Sequence, residues 1–178
     1  EETLKEKGKS SLGKRKVWFD KTVQRITFDV RGNYLGDFAP EDKILVVTSG
    51  GYYRMVTVDL LAHFEPDMVL IEKYEPSRPV TVIYFDGESK THFVKRFMLE
   101  PTEKKNLIIT EAEGSYLVAV SSAQNPIAEV KFGKDKGKEL PMERIDMENF
   151  IEIRNLKAKG NKLSPNKVKE VRLIDPFA

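Results

Sequence analysis

Two histidines, His63 and His92, and no cysteine are all that this sequence offers as soft metal ligands. A metal centre or an acid–base catalyst needs several such groups converging on one point. Neither histidine has companions that suggest one, so each reads as a surface or satisfied core residue. Acidic doublets such as Glu41-Asp42 sit at loop edges, where Asp side chains form turns by bonding nearby backbone. Gly8-Lys9-Ser10 resembles the end of a phosphate-binding loop, but that motif needs a glycine five residues before the Gly-Lys pair. Position 3 is threonine, and no strongly apolar strand precedes it. Catalysis, a bound metal and a cofactor are therefore not expected within this chain.

What remains is charge, and its distribution carries information. Residues 1–31 hold nine Lys/Arg against five Asp/Glu, and residues 151–178 hold seven against three, so each end is +4. Residues 32–150 hold fourteen against twenty, which makes the middle acidic, while the whole chain is only +2. A spread-out basic face attracts a rod of phosphates without a helix that reads bases. The candidate contacts are Lys7, Lys9, Lys14, Arg15 and Lys16 at one end, and Arg154, Lys157, Lys159 and Lys162 at the other. Arg31 and Arg96 are possible additions. Gly8, Gly13, Gly32 and Gly160 stand beside these cations, where a bare backbone can approach a phosphate. The competing reading of any one lysine is a solvated surface charge, and Arg31-Gly32 reads equally well as a structural loop. Trp18, Tyr52 and Tyr53 lie on apolar strands and read as packing residues rather than base stackers.

The absence of cysteine excludes disulfides and points to a reducing compartment. Apolar runs reach only four or five residues, far short of a membrane span. The chain opens Glu-Glu-Thr-Leu-Lys, with neither an initiator Met nor a signal-type segment. It is expected to be a domain cut from a longer cytoplasmic protein.

The elements that must hold these charges are short strands. The organising stretch is Arg31–Arg54: a glycine-hinged loop, the buried run Ile44-Leu45-Val46-Val47, the turn Ser49-Gly50-Gly51, and a return over Tyr52–Val58. Val17–Phe19 and Ile26–Val30 read as strands before it. Met68–Ile71 reads as a buried strand, and Val80–Phe85 turns at Asp86-Gly87 into Thr91–Phe97. Leu107–Thr110 and Tyr116–Val120 are expected to form a third hairpin around Gly114. Ala128–Phe132, Asn149–Arg154 and Val168–Ile174 complete the set. Lys134–Lys138 and Lys157–Ser164 form charged loops, and residues 1–16 form a basic, loop-like lead-in. No long amphipathic helix is predicted. Short strands at regular turn spacing indicate an all-β barrel, sandwich or radial array, and the irregular repetition favours the last.

Arg31-Gly32-Asn33-Tyr34-Leu35-Gly36 followed by Ile44–Tyr53 resembles a blade signature of the C-terminal domain of the A subunit of bacterial type IIA topoisomerases. Lys95-Arg96-Phe97 and Lys157-Ala158-Lys159-Gly160-Asn161-Lys162-Leu163-Ser164 resemble other signatures of that family, in order, over most of residues 4–174. The resemblance implies a β-pinwheel: antiparallel four-stranded blades that exchange strands around an axis, three or four of them here, in a single domain over 1–178. It implies duplex DNA as partner, bent or presented for decatenation and relaxation, in the cytoplasm at the nucleoid. It also implies association with the rest of the A subunit and with the ATPase subunit. ATP, Mg2+ and the active-site tyrosine would belong to those other regions. The gyrase branch carries a box of the type Gln-Arg-Arg-Gly-Gly-Lys-Gly; this sequence holds only fragments of it at Arg31-Gly32 and Gly13–Lys16, which makes it look closer to topoisomerase IV. The alternatives are a protein-interaction propeller without DNA binding and a structural spacer.

Overall fold

The computed structural model describes residues 13–177, nearly all of them in strands, turns and loops. β1 (Arg15–Asp20) lies between β2 (Arg25–Thr27) and β3 (Asn33–Phe38) in a three-stranded antiparallel sheet. Two expectations change here. The loop expected at Arg31–Gly36 is mostly strand: β3 pairs along β1, with a register shift where Val17 faces Gly36 and Trp18 faces Tyr34. β2 stops at Thr27, and Val30 is 82% exposed, so the alternation through Phe28-Asp29-Val30 does not extend the ladder.

β4 (Lys43–Thr48) is buried from Ile44 onward, as a continuous apolar run requires when both of its faces are covered. The turn at Ser49–Gly51 returns it into β5 (Tyr52–Thr57), its hydrogen-bonded neighbour. Gly51 has φ +85°, and a Cβ there would meet the Ile109 side chain at 2.7 Å, so the turn needs glycine on both counts. β6 (Met68–Lys73) pairs with the other side of β4. It is an edge strand rather than the buried strand expected, and Val69 is half exposed.

β7 (Val80–Asp86) and β8 (Thr91–Phe97) form the longest hairpin, in register from Val80↔Phe97 to Asp86↔Thr91. The predicted third hairpin does not form. β9 (Asn106–Leu107) joins β5, while β10 (Tyr116–Ser121) joins β7. Apolar, β-rich composition marks extended chain but does not name its partner. Here the Ile108 N–H bonds the Gly51 carbonyl at 2.8 Å, and the chain then passes to a different sheet.

β11 (Ile127–Phe132) is flanked by β12 (Glu143–Asp146) and the closing strand β15 (Val168–Ile174). Where a strand was expected at Asn149–Arg154, one helical turn, α1 (Met147–Phe150), comes first. The Asp146 carboxylate caps it by accepting from the Glu148 N–H at 3.1 Å, and Met147 is fully buried. Only β13 (Ile153–Arg154) remains extended; it pairs with β8 in parallel, a departure from the all-antiparallel expectation. β14 (Asn161–Lys162) then runs antiparallel to β8.

The four small sheets are the blades of an all-β, pinwheel-type fold, holding three, four, five and three strands rather than four each. They fall into two compact units. One is formed by the chain up to Thr48 with Tyr53–Tyr74 and Pro101–Asn106; the other by Ser49–Tyr52, Glu75–Glu100 and the chain from Leu107 onward. The first has a core of Val17, Phe19, Ile26, Phe38, Ile44, Val46 and Phe64. The second packs Ile83 and Val94 against Ala128, Val130, Met147, Leu163 and Val171. Each fully buried aliphatic side chain of this size contributes about 1.5–3 kcal/mol relative to exposure.

Candidate nucleic-acid interface

In the second unit the basic segment between β13 and β14 is tied down at several points. The Lys95 ammonium donates to the Leu156 carbonyl at 2.9 Å, and the Tyr84 hydroxyl donates to the Lys159 carbonyl at 2.5 Å. Lys157 and Ala158 turn back on Asn155 through its side-chain and backbone oxygens. Gly160 sits at φ +90°, and a Cβ there would lie 2.1 Å from the Val94 carbonyl oxygen. Close approach to β8, rather than to a phosphate, is therefore what this glycine supplies. On this scaffold Arg154, Lys157 and Lys162 stand exposed. Arg154 is 3.6 Å from the exposed Glu152 carboxylate, a weak surface pair.

Lys159 is half committed to the fold. Its ammonium lies 3.5 Å from the Asp86 carboxylate and 4.8 Å from the centre of the Phe93 ring. Asp86 is 1% exposed and accepts from the Ser89 hydroxyl and backbone N–H and from the Thr110 hydroxyl. Led by the Ser89 hydroxyl bond, these partners outweigh the cost of burial and hold its carboxyl far below the ordinary value.

Arg96, one of the candidate contacts, is corrected outright. It is 3% exposed, its Nε donating to the Thr81 hydroxyl at 3.0 Å and its Nη2 to the Gln124 carbonyl at 2.7 Å. Alternation along β8 explains the placement: Thr81 faces Arg96 across the ladder, and the guanidinium ties β8 to the segment after β10. Lys95, which sequence reasoning passed over, is buried as well, above the rings of Tyr84 and Phe97. Burial pulls its ammonium down to about 8. The signal was present, since Lys95 shares a strand face with Phe93 and Phe97.

In the first unit Lys14, Arg15, Lys16 and Arg31 are all exposed. Arg15 and Lys16 open β1 instead of belonging to a loop, so they point to opposite sides of the sheet. Arg15 lies on the side of buried Val17 and Phe19, with its guanidinium 4.8 Å from the Phe28 ring centre. Lys16 lies on the side of Trp18, whose ring packs at 5.1 Å on Tyr34. Tyr53 is a core residue as expected, whereas Tyr52 is 40% exposed. Lys7 and Lys9 lie outside the described residues.

Among the described residues no group of three or more His, Asp or Glu side chains could hold a metal ion, and no helix is long and apolar enough to cross a membrane. Four small sheets, with exposed cations on strand ends and on a tethered loop, define the β class of this chain. The family described as topoisomerase C-terminal domain, Bacteroidota, matches residues 25–175, and the chain belongs to that family. Comparison with curated proteins returned no match.

Proposed function

We propose that this chain binds and bends duplex DNA for a type IIA topoisomerase of the topoisomerase IV kind, presenting the duplex for decatenation and relaxation. Family membership supports the topoisomerase setting, and the absence of a full gyrase-type box in the sequence supports the finer assignment. The rest of the A subunit and the ATPase subunit, in the cytoplasm, are the partners this reading implies. The observation that carries it is the trio Arg154, Lys157 and Lys162, exposed on a segment that four hydrogen bonds and one glycine contact hold in place. A fixed cationic edge suits a phosphate backbone because little side-chain and loop ordering remains to be done on binding.

Titration of fluorescent duplex DNA across salt concentration tests this. Each neutralised phosphate contributes about −0.9 to the slope of log K against log salt. Replacing Arg154, Lys157 and Lys162 with Gln should flatten the slope by up to about 3 units. Lys159 is left intact because it faces the buried Asp86. Replacing the exposed Lys104, Lys105 and Lys134 should change the slope much less. Equal effects from both sets would indicate diffuse attraction without a dedicated edge. No binding at low salt would favour a protein-interaction module.

A further inference from the structure

The second unit contains a cleft that the duplex-binding reading does not use. It has a volume of about 450 Å3 and lies between the start of β8 and the segment joining β14 to β15. Its wall comes from Phe85 and His92, which face each other across the β7–β8 ladder with ring centres 5.2 Å apart. Tyr116, opposite Phe85 on β10, stacks on that ring at 5.0 Å and backs it. Three lysines, Lys90, Lys162 and Lys167, line the cleft, and among the described residues none of them forms an ion pair with a carboxylate.

The rim is held by the fold. The Leu163 N–H bonds the His92 carbonyl at 2.9 Å, and Leu163 itself is buried in the core. The Lys167 carbonyl accepts from the Gly133 N–H at 2.9 Å. The Ser164 hydroxyl oxygen accepts from the Asn166 N–H at 3.1 Å, which leaves its own proton to donate. Burial lowers the His92 imidazole below its ordinary value, so near neutral pH it belongs to the aromatic wall rather than to the cationic set.

Unpaired cations beside a hydroxyl donor call for a dianionic phosphate. An aromatic wall in the same cleft calls for a planar, weakly polar group attached to it. The volume lies in the range of small-molecule sites. We propose that this cleft binds a nucleoside phosphate, its phosphate on Lys90, Lys167 and Ser164 and its base against Phe85 and His92. The ligand is either a free mononucleotide or the 5′-phosphorylated end of an unpaired DNA strand. The site shares Lys162 with the proposed duplex edge, and Lys90, Lys167 and Ser164 are not part of that edge.

The test is an NMR titration of the full chain with AMP, inorganic phosphate and a short 5′-phosphorylated single strand, each repeated on Lys90→Gln/Lys167→Gln. AMP and the single strand should shift Thr91, His92 and the residues from Ser164 to Val168, and the double variant should weaken both at least tenfold. Tighter binding of the strand would identify a DNA end as the ligand; binding of AMP as tight or tighter would identify the free nucleotide. Phosphate alone binding as well as AMP would overturn the proposal, because the aromatic wall would then contribute nothing. So would AMP shifts of equal size in the double variant. Duplex affinity measured on the same variant should change less than threefold. Absence of any response to AMP and to the single strand in the unsubstituted chain, with its duplex binding present, would sink this inference alone and leave the duplex reading standing.

Discussion

Lys95 shows how one buried cation is tolerated in the centre of a β blade. It is 5% exposed, yet its ammonium has the Leu156 carbonyl as acceptor and two aromatic rings at about 5.5 Å. Burial still favours the neutral amine and lowers its titration to about 8, against 10.5 in an unfolded chain. Below pH 8 both states carry the proton, and the cost of burying the charge is constant. Between about 8 and 10.5 only the unfolded state retains it, so this group makes stability rise with pH across that interval. Lys95→Met should remove that rise while leaving the other lysines to titrate as before. Melting temperatures of the two proteins that run parallel from pH 8 to 10.5 would show that Lys95 is not the source. Asp86 has the opposite chemistry and the same direction of pH dependence. Its depressed carboxyl contributes stability that is present above the unfolded value and lost as pH falls below it.

At the level of elements, the β4–β5 hairpin was legible almost residue by residue. A four-residue apolar run, two glycines and a return strand appear in the structure as β4, the turn and β5. Gly51→Val would place a β-branched residue at φ +85° and drive its Cβ into Ile109. The loss should be on the order of 1–3 kcal/mol from backbone strain, before any cost of displacing Ile109. Urea unfolding measures it, and an unchanged midpoint would mean that the turn relaxes to another conformation. Less was legible at β12 and α1. Glu143-Arg144-Ile145-Asp146 has one apolar residue and no alternation, and the strand exists because β11 offers it a partner. α1 is nucleated by the Asp146 cap and by burial of Met147, neither of which shows in the hydrophobic pattern.

At the scale of the whole molecule, charge and core are distributed over two units, each with its own apolar cluster and exposed cations. The first unit gives a contrast that a surface count of charges would not. Lys16 and Arg15 are adjacent but face opposite sides of their sheet, with Arg15 against Phe28. If the outer face of β1 tracks phosphate, Lys16→Gln should flatten the salt slope for duplex DNA by about 1 unit. Arg15→Gln should change it much less. Equal changes would show that strand orientation does not decide which of the two meets the backbone. The sequence by itself determined the all-β class, most of the strands, the Gly51 turn and the basic ends. Those features follow from local periodicity, turn chemistry and composition, which each segment carries alone. Only the tertiary structure decided that β9 and β10 join different sheets and that Arg96 and Lys95 are buried among backbone acceptors and rings. Only it brings Lys90, His92 and Lys167 around one cleft. Each of these depends on which strand lies beside which, and pairing is selected by burial and hydrogen-bond completion between segments far apart in the chain.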